Sequence, residues 1–339
     1  MKRIGVWKFF FLLFLMIATV WIVRKANSPA PYRYAEGKAF GTIYHITYQA
    51  DQDLGREISL VLDSVNSTFS LFDGGSLLSR INRGETNRLD EKLMEVVQTT
   101  ERVVSKTNGA FDPTVAPLVE AWGFGKGAPQ TLTAVQVDSL RRLTGYGRVC
   151  RLEGTVIRKA VPAVKLDFGA IAKGYGVDCV ARMLRTRGCR NFLVEIGGEI
   201  VCNGSNADGQ DWKIGVQRPD DATAELQTVL RLTDAAMATS GNYRNYYVKD
   251  GRRIAHTIDP RTGWPVSHSL LSATVVAPTC AEADALATAF MVLGTDSAAD
   301  LVAADTLLGA YLIFEAGGKL QTKALGRLSK LFDGNADGQ

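Results

Sequence analysis

Asp284 and Thr288 stand four residues apart in the run "CAEADALATAFMVLG". On a helix that spacing puts both side chains on one face. Alanines crowd around them at Ala281, Ala283, Ala285, Ala287 and Ala289. Small residues let a backbone or a ligand approach closely. One carboxylate, one hydroxyl and neighbouring carbonyls make a hard oxygen set, suited to Mg²⁺ rather than zinc. The plainer alternative is an Asp–Thr hydrogen bond on a surface helix.

A second dense segment is "KLDFGAIAKGYGVD", Lys165 to Asp178. Glycines beside a lysine suggest phosphate, but the spacing matches neither G-x-x-x-x-G-K-[ST] nor G-x-G-x-x-G. Gly169 and Gly174 allow the backbone to come near another group. A helix opening near Ala170 points free N–H groups outward, and its dipole together with Lys173 favours an anion. A glycine-rich turn with a solvated lysine is the competing account. In "HTIDPRTGWPV", Asp259-Pro260 and Thr262-Gly263 are turn chemistry that displays His256 at a strand end. There it serves either as a general base, with an unperturbed pKa of about 6.5, or as a structural side chain. "NGAFDPTVAPLVEAWGF" offers Phe111 for stacking and Asp112 for hydrogen bonding, or else is a helix C-cap and a Pro-terminated turn. "SLFDGGSLLSRIN" places Phe72 and Ser76 on a loop.

The elements around these residues follow from periodicity and capping. Phe40–Tyr48 is strand-like; Ile58, Val61, Leu62, Val65 and Phe69 keep helical spacing. Asp90 caps a helix closed by Gly109, and "TAVQ" from Thr133 and "TCAE" from Thr279 are capping boxes. "VCRLEGTVIRKA" predicts a hairpin turning at Glu153-Gly154. Val177, Val180, Ala181 and Leu184 form a helical stripe ending at Gly188. Strands are expected at Asn191–Cys202, Trp212–Gln217, Leu226–Leu232, Tyr243–Val248, Arg253–Ile258 and Ser272–Ala277. A helix at Ser297–Thr306 and a hairpin around Ala316-Gly317-Gly318 close the chain. Strand runs interleaved with helices, with no linker inside residues 40–330, predict one α+β domain.

The N-terminus stands apart. "MKRIGVWKFFFLLFLMIATVWIVRK" puts Lys2, Arg3 and Lys8 before an apolar run and Arg24 and Lys25 after it. It reads as an uncleaved anchor or a cleavable signal peptide; no A-x-A stands at its end and no cysteine offers a lipid anchor. Either way the positive front end stays cytoplasmic and the rest is exported. The expected layout is residues 1–28 as membrane segment, 29–39 as tether and 40–330 as the body. The chain has 339 residues and a net charge of +4, but those five cations account for all of the excess and leave about −1 on the body. That gives no electrostatic footprint for nucleic acid. Five cysteines without C-x-x-C spacing and three scattered histidines support neither a zinc site nor a disulfide framework.

Taken together, "FGTIYHI", "GAFDPTVAPLVEAWGF", "LDFGAIAKGYGVD", "VEIGGEIVCNG", "ATSGNYRNY", "HTIDPRTGWPV" and "AEADALATAFMVLG" resemble, in order, the ApbE family of FAD:protein FMN transferases. The likeness runs from about Phe40 to Phe314 and implies a single ApbE-like domain. It implies Mg²⁺-dependent transfer of FMN from FAD to a threonine hydroxyl of a target protein, with AMP leaving. The implied targets are membrane-associated proteins carrying a Ser/Thr-Gly-Ala-Thr-like motif. By position, Asp284 and Thr288 match the family's metal side chains, and Ala170 and Ala287 its backbone metal contacts. Ala110, Phe111, Asp112, Asp167, Lys173 and Ile258 match FAD contacts, and His256 the catalytic histidine. Phe40 replaces a usual methionine and Phe72 a usual Tyr or Trp; either ring could stack on the flavin. Leu77 follows Ser76 where the family commonly has Glu.

The leading expectation is therefore a flavin transferase held in the inner membrane, its catalytic domain facing the periplasm. The alternatives are an FAD pyrophosphatase giving FMN and AMP, with the same site, and a non-catalytic FAD-binding protein. Asp284, Thr288 and His256 together argue against the last.

Overall fold

The computed structural model describes residues 6–26, 29–124, 132–219, 225–242, 246–249 and 252–329. Eight strands form one sheet, every neighbouring pair antiparallel. Their order is β1 (Tyr32–Ala39), β2 (Thr42–Gln49), β5 (Phe192–Ile196), β6 (Glu199–Asn203), β9 (Ala235–Gly241), β12 (Leu270–Ala277), β13 (Gly309–Ala316) and β14 (Lys319–Gly326). Side chains alternate across the sheet, as the strand period requires. Tyr44, Ile46, Val194, Val201, Ala273, Val275 and Leu312 face the helices. Ile200, Cys202, Val276, Tyr311 and Ile313 face the other way, where the ribbon β7 (Trp212–Gln217) and β8 (Leu226–Leu232) covers them with Trp212, Ile214, Leu230 and Leu232. Two further hairpins are β3 (Cys150–Glu153) with β4 (Val156–Lys159), and β10 (Tyr246–Lys249) with β11 (Arg252–Ala255).

On the helical face, α7 (Gly169–Thr186) and α8 (Cys280–Leu293) lie against the sheet. Behind them pack α2 (Gly55–Phe69) and α4 (Glu91–Lys106), and α9 (Thr295–Ala303) follows α8. Short helices α3 (Leu77–Arg83), α5 (Ala116–Ala121) and α6 (Ala134–Arg141) sit in the connections, and α1 (Val6–Ala26) precedes the body. Of the expected stripe, Ile58, Leu62, Val65 and Phe69 are buried and Val61 is half-buried. Asp90 caps α4 through the Leu93 N–H at 2.8 Å, and the Thr133–Gln136 capping box is complete. At α8 only half the expected box forms. Thr279 accepts the Glu282 N–H, while the Glu282 carboxylate turns to Lys106 on α4 at 3.0 Å.

The structure departs from the sequence reading at several places. Residues 29–39, expected as a tether, contain β1, which pairs along its whole length with β2, so the body starts at Tyr32. Phe40 and Gly41, with φ of 53° and 77°, are the two-residue turn of this hairpin rather than a strand start. Asn191–Cys202, expected as one run, is a hairpin folded at Gly197 and Gly198, whose φ values of 60° and 101° only glycine adopts readily. The alanine-rich β9 carries little strand propensity; its small side chains lie where α8 packs on the sheet. Of the expected strand at 243–248, residues 243–245 lie outside the described residues, and Ile258 belongs to an isolated bridge with Pro265 rather than to β11. Among the described residues no helix is long and apolar enough to cross a membrane.

α7 and α8 touch backbone to backbone. A Cβ added at Gly174 would lie 2.3 Å from the Cys280 carbonyl oxygen and 2.6 Å from its carbon. Gly174→Ala should therefore cost roughly 1–3 kcal/mol, as overpacking does. Gly74→Ala, whose nearest contact is an arginine tip at 3.8 Å, should be close to neutral. Paired urea denaturation curves check the contrast.

Candidate active site

The crossing of α7 and α8 brings the metal and lysine candidates together. Asp284 Oδ2 accepts the Gly174 N–H at 3.1 Å. In return Asp178 on α7 accepts the Cys280 and Ala281 N–H groups at 3.0 and 2.9 Å, capping α8. Ala170 breaks the first turn of α7, with φ −91° and ψ 17°. The Gly174 N–H, four residues on, is the one that donates to Asp284. One turn along α8 from Asp284, the Thr288 hydroxyl meets the Ser240 hydroxyl of β9 at 3.3 Å. Ala287, between them, is fully buried.

Lys173 does not offer a spare positive charge. Its Nζ lies 2.5 Å from Glu199 Oε1 and 4.0 Å from Asp284 Oδ1. Glu199 and Asp284 are only 2% and 3% exposed. Burial disfavours the ammonium, but the Asp284 and Glu199 charges outweigh it and carry Lys173 up to about 12. Burial, reinforced by Asp284 and opposed by Lys173, pushes Glu199 up to about 8. Burial likewise raises Asp284, against the pull of Lys173 and the Gly174 N–H. The expectation that Lys173 and the helix N-terminus attract an anion is thus corrected. Two carboxylates bracket the lysine, and the Gly169 N–H in the first turn of α7 is taken by Asp167 Oδ1 at 2.7 Å. Such a centre favours a cation.

The loop before α7 is fixed from both sides. Asn82 bonds the Leu166 N–H and carbonyl at 2.8 Å each, and the Asp167 N–H donates to the Pro113 carbonyl at 2.7 Å. Burial raises the Asp167 carboxyl. The 108–124 segment is more structural than its residues suggested. Phe111, expected to stack on a ring, is packed in the main core, and Ala110 is buried beside it in sequence. Asp112 turns both oxygens inward: Oδ1 accepts from the Thr114 N–H and hydroxyl, and Oδ2 accepts the Tyr146 N–H. Burial raises its pKa. What this loop can present to a ligand is backbone.

His256 follows β11, half-buried and edge-on to Phe124 with ring centroids 6.2 Å apart. Its neighbour Thr257 donates to Asn242 Oδ1 at 2.5 Å, and Asn242 lies two residues beyond Ser240. This bond ties the histidine segment to the end of β9 that carries the Thr288 contact. Trp122 Nε1–H donates to the Gly263 carbonyl at 2.9 Å, so the 110–124 and 256–266 segments form one wall, with Ile258 buried in the same cluster. The Phe40 ring covers Gly176 of α7, where an added Cβ would lie 2.5 Å from it. Phe72 stands 91% exposed on the loop before α3. Ser76 is the N-cap of α3, accepting the Ser79 N–H. Sequence reading missed Glu199, Asp178, Asn82 and Ser240. The only signal for Glu199 was an acid directly after Gly197-Gly198, inside a segment read as one strand and quoted for its family likeness.

Among the described residues, no group of three or more His, Cys, Asp or Glu could hold a metal. The candidate centre relies instead on one carboxylate with hydroxyl and carbonyl oxygens. The family model described as the ApbE family matches residues 40–312. The FAD:protein FMN transferase of Vibrio cholerae is 37% identical over 291 residues, covering 83% of this chain and 87% of that one. The protein of the same name from Escherichia coli K12 is 33% identical over 328 residues, covering 91% and 93%. Among solved structures, the flavin transferase ApbE from Vibrio cholerae superposes with a TM-score of 0.80 at 34% identity, covering 89% of this chain and 100% of that one. The apo flavinyl transferase ApbE of Pseudomonas stutzeri superposes with 0.80 at 31%, covering 90% and 98%.

The raised Glu199 sets a pH dependence. The fold holds its proton up to about pH 8, while the unfolded chain releases it near 4.5. Its contribution to stability is fully present below about pH 4.5 and is lost as pH rises through about 8. Urea midpoints of metal-free protein should fall across that window, and Glu199→Gln should flatten the fall. An unchanged slope in the variant would assign the pH dependence to other groups.

Proposed function

The chain belongs to the ApbE family, and on that premise we propose that its site moves FMN from FAD onto a threonine hydroxyl of a target protein. Transfer of FMN from FAD to protein is the activity its relatives are named for, at 33–37% identity over most of the chain, and the protein is an enzyme of that class. The observation that carries the finer reading is Asp284. It is a buried carboxylate anchored at Oδ2 by the Gly174 N–H, with Oδ1 standing 4.0 Å from the Lys173 ammonium.

The donor set fits Mg²⁺. Asp284 and Thr288 would hold it by side chains, and Ala170 and Ala287 by carbonyls, all hard oxygens. The break at Ala170 supports a carbonyl free of the helix ladder. Bound there, Mg²⁺ would supply positive charge to offset that of the pyrophosphate and of the departing AMP. The backbone of 110–112, Asp167 and Ile258 receive FAD, with the Phe40 and Phe72 rings toward the flavin. His256 takes the hydroxyl proton as the threonine oxygen attacks the FMN-side phosphorus. The bond to the AMP phosphate breaks, and its electron pair leaves with AMP. A bound target loop supplies the hydroxyl at high effective concentration, which favours transfer over hydrolysis.

The N-terminal segment supports a place in the inner membrane with the body in the periplasm. Trp7, Phe9, Phe10, Phe11, Phe14 and Ile17 are all exposed along α1, and cations precede and follow the apolar run. The proposed targets carry a Ser/Thr-Gly-Ala-Thr-like motif and meet the enzyme at that surface.

In-gel flavin fluorescence tests the reaction. With FAD and Mg²⁺, an acceptor domain bearing the motif should become covalently fluorescent, and replacing its final threonine by alanine should block labelling. Release of FMN and AMP at one rate with or without acceptor, and no labelled protein, would establish the pyrophosphatase instead. Asp284→Ala should abolish labelling, and His256→Ala should slow it by roughly 10²–10⁴-fold at saturating FAD. The full chain should also resist carbonate extraction from inner membranes; recovery as a soluble periplasmic protein beginning near Ser28 would remove the anchor.

A further inference from the structure

We propose that Glu199 is a positioning residue that holds the Lys173 ammonium off Asp284, keeping Asp284 Oδ1 open to a divalent cation. The inference rests on the reading of Asp284 as the metal carboxylate. An ammonium and two carboxyl groups meet with unequal spacing: the ammonium is 2.5 Å from Glu199 Oε1 and 4.0 Å from Asp284 Oδ1. The backbone forces the lysine and the aspartate to be neighbours, because Gly174, the residue after Lys173, donates its N–H to Asp284 Oδ2. In so buried a place, opposite charges attract strongly. With no second carboxylate, the ammonium would close on Asp284 and compete for the oxygen a cation needs.

Glu199 prevents this from the opposite side. It begins β6, directly after the Gly197-Gly198 turn, and that turn delivers its carboxylate under α7. The arrangement has no evident value for stability. Glu199 Oε2 is buried without a hydrogen-bond partner, and a buried carboxylate so poorly satisfied is costly to a fold. Holding the lysine in place gives that cost a reason.

The test is calorimetric titration of metal-free full-length protein with MgCl₂, at one fixed pH above 8, where Glu199 is ionised, and with folding checked by circular dichroism. Glu199→Gln should weaken Mg²⁺ binding by about tenfold or more, whereas Glu199→Asp, which keeps the charge, should stay within about threefold of wild type. Lys173→Met combined with Glu199→Gln should recover binding to within about threefold of wild type, since no ammonium remains to be held off. Wild-type binding in Glu199→Gln would overturn the proposal, and so would a double variant as weak as the single one, which would mean that Glu199 acts directly. If Glu199→Gln fails to fold, Lys173→Met alone decides: binding no weaker than wild type supports the proposal, and weaker binding overturns it. Asp284→Asn separates the premise from the inference. If that variant binds Mg²⁺ as wild type does, the metal reading falls and takes this one with it; if it loses binding, the premise stands whatever Glu199→Gln does.

Discussion

Two helices exchange carboxylates, and the site exists because they do. Asp178 on α7 closes the N-terminus of α8, and Asp284 on α8 takes a backbone N–H of α7. Both bonds require the helix axes to come closer than side chains allow, which is why residue 174 has none. A buried carboxylate is tolerable only when its lone pairs are occupied. Each helix solves that problem for the other, so Asp284, the proposed metal carboxylate, is positioned by main chain rather than by a flexible neighbour. The rest of the fold serves this crossing: the sheet supports it from one side, α2 and α4 from the other.

The loops add the proposed substrate end of the site by a different device, in which side chains that look chemical secure backbone. Asp112 and Asn82 spend their polar atoms on neighbouring main chain. The Trp122 indole locks the 256–266 segment in the same way. A dinucleotide bound here, as proposed, would meet mostly carbonyls and N–H groups on rigid supports. That suits a substrate rich in acceptors and donors whose position, more than its affinity, decides the reaction.

Much of this was legible in residue order. Helix stripes and caps follow local rules, so α2, α4, α6 and α7 lie close to where spacing predicts. The i, i+4 relation of Asp284 and Thr288 is equally local. What escaped was non-local. β1 looks like a linker because one face of an edge strand is polar, and β9 looks like nothing because alanine has no strand preference. Glu199 is distant in sequence from Lys173, and nothing along the chain says the two will meet. Reading Lys173 as an anion hook failed for that reason: the sign of a local field depends on every charge the fold brings near, not on the residue that draws the eye.

The sheet begins with β1 at one rim and ends with β14 at the other. At about 4.8 Å per step, the two ends of the body stand roughly 34 Å apart. The outer strands of the body therefore cannot be joined by a short peptide, and a fusion partner joined directly after β14 takes the rim opposite β1. Whatever holds the protein by its first helix grips one rim only. The central strands that bear Glu199 and Ser240 stay insulated from both handles.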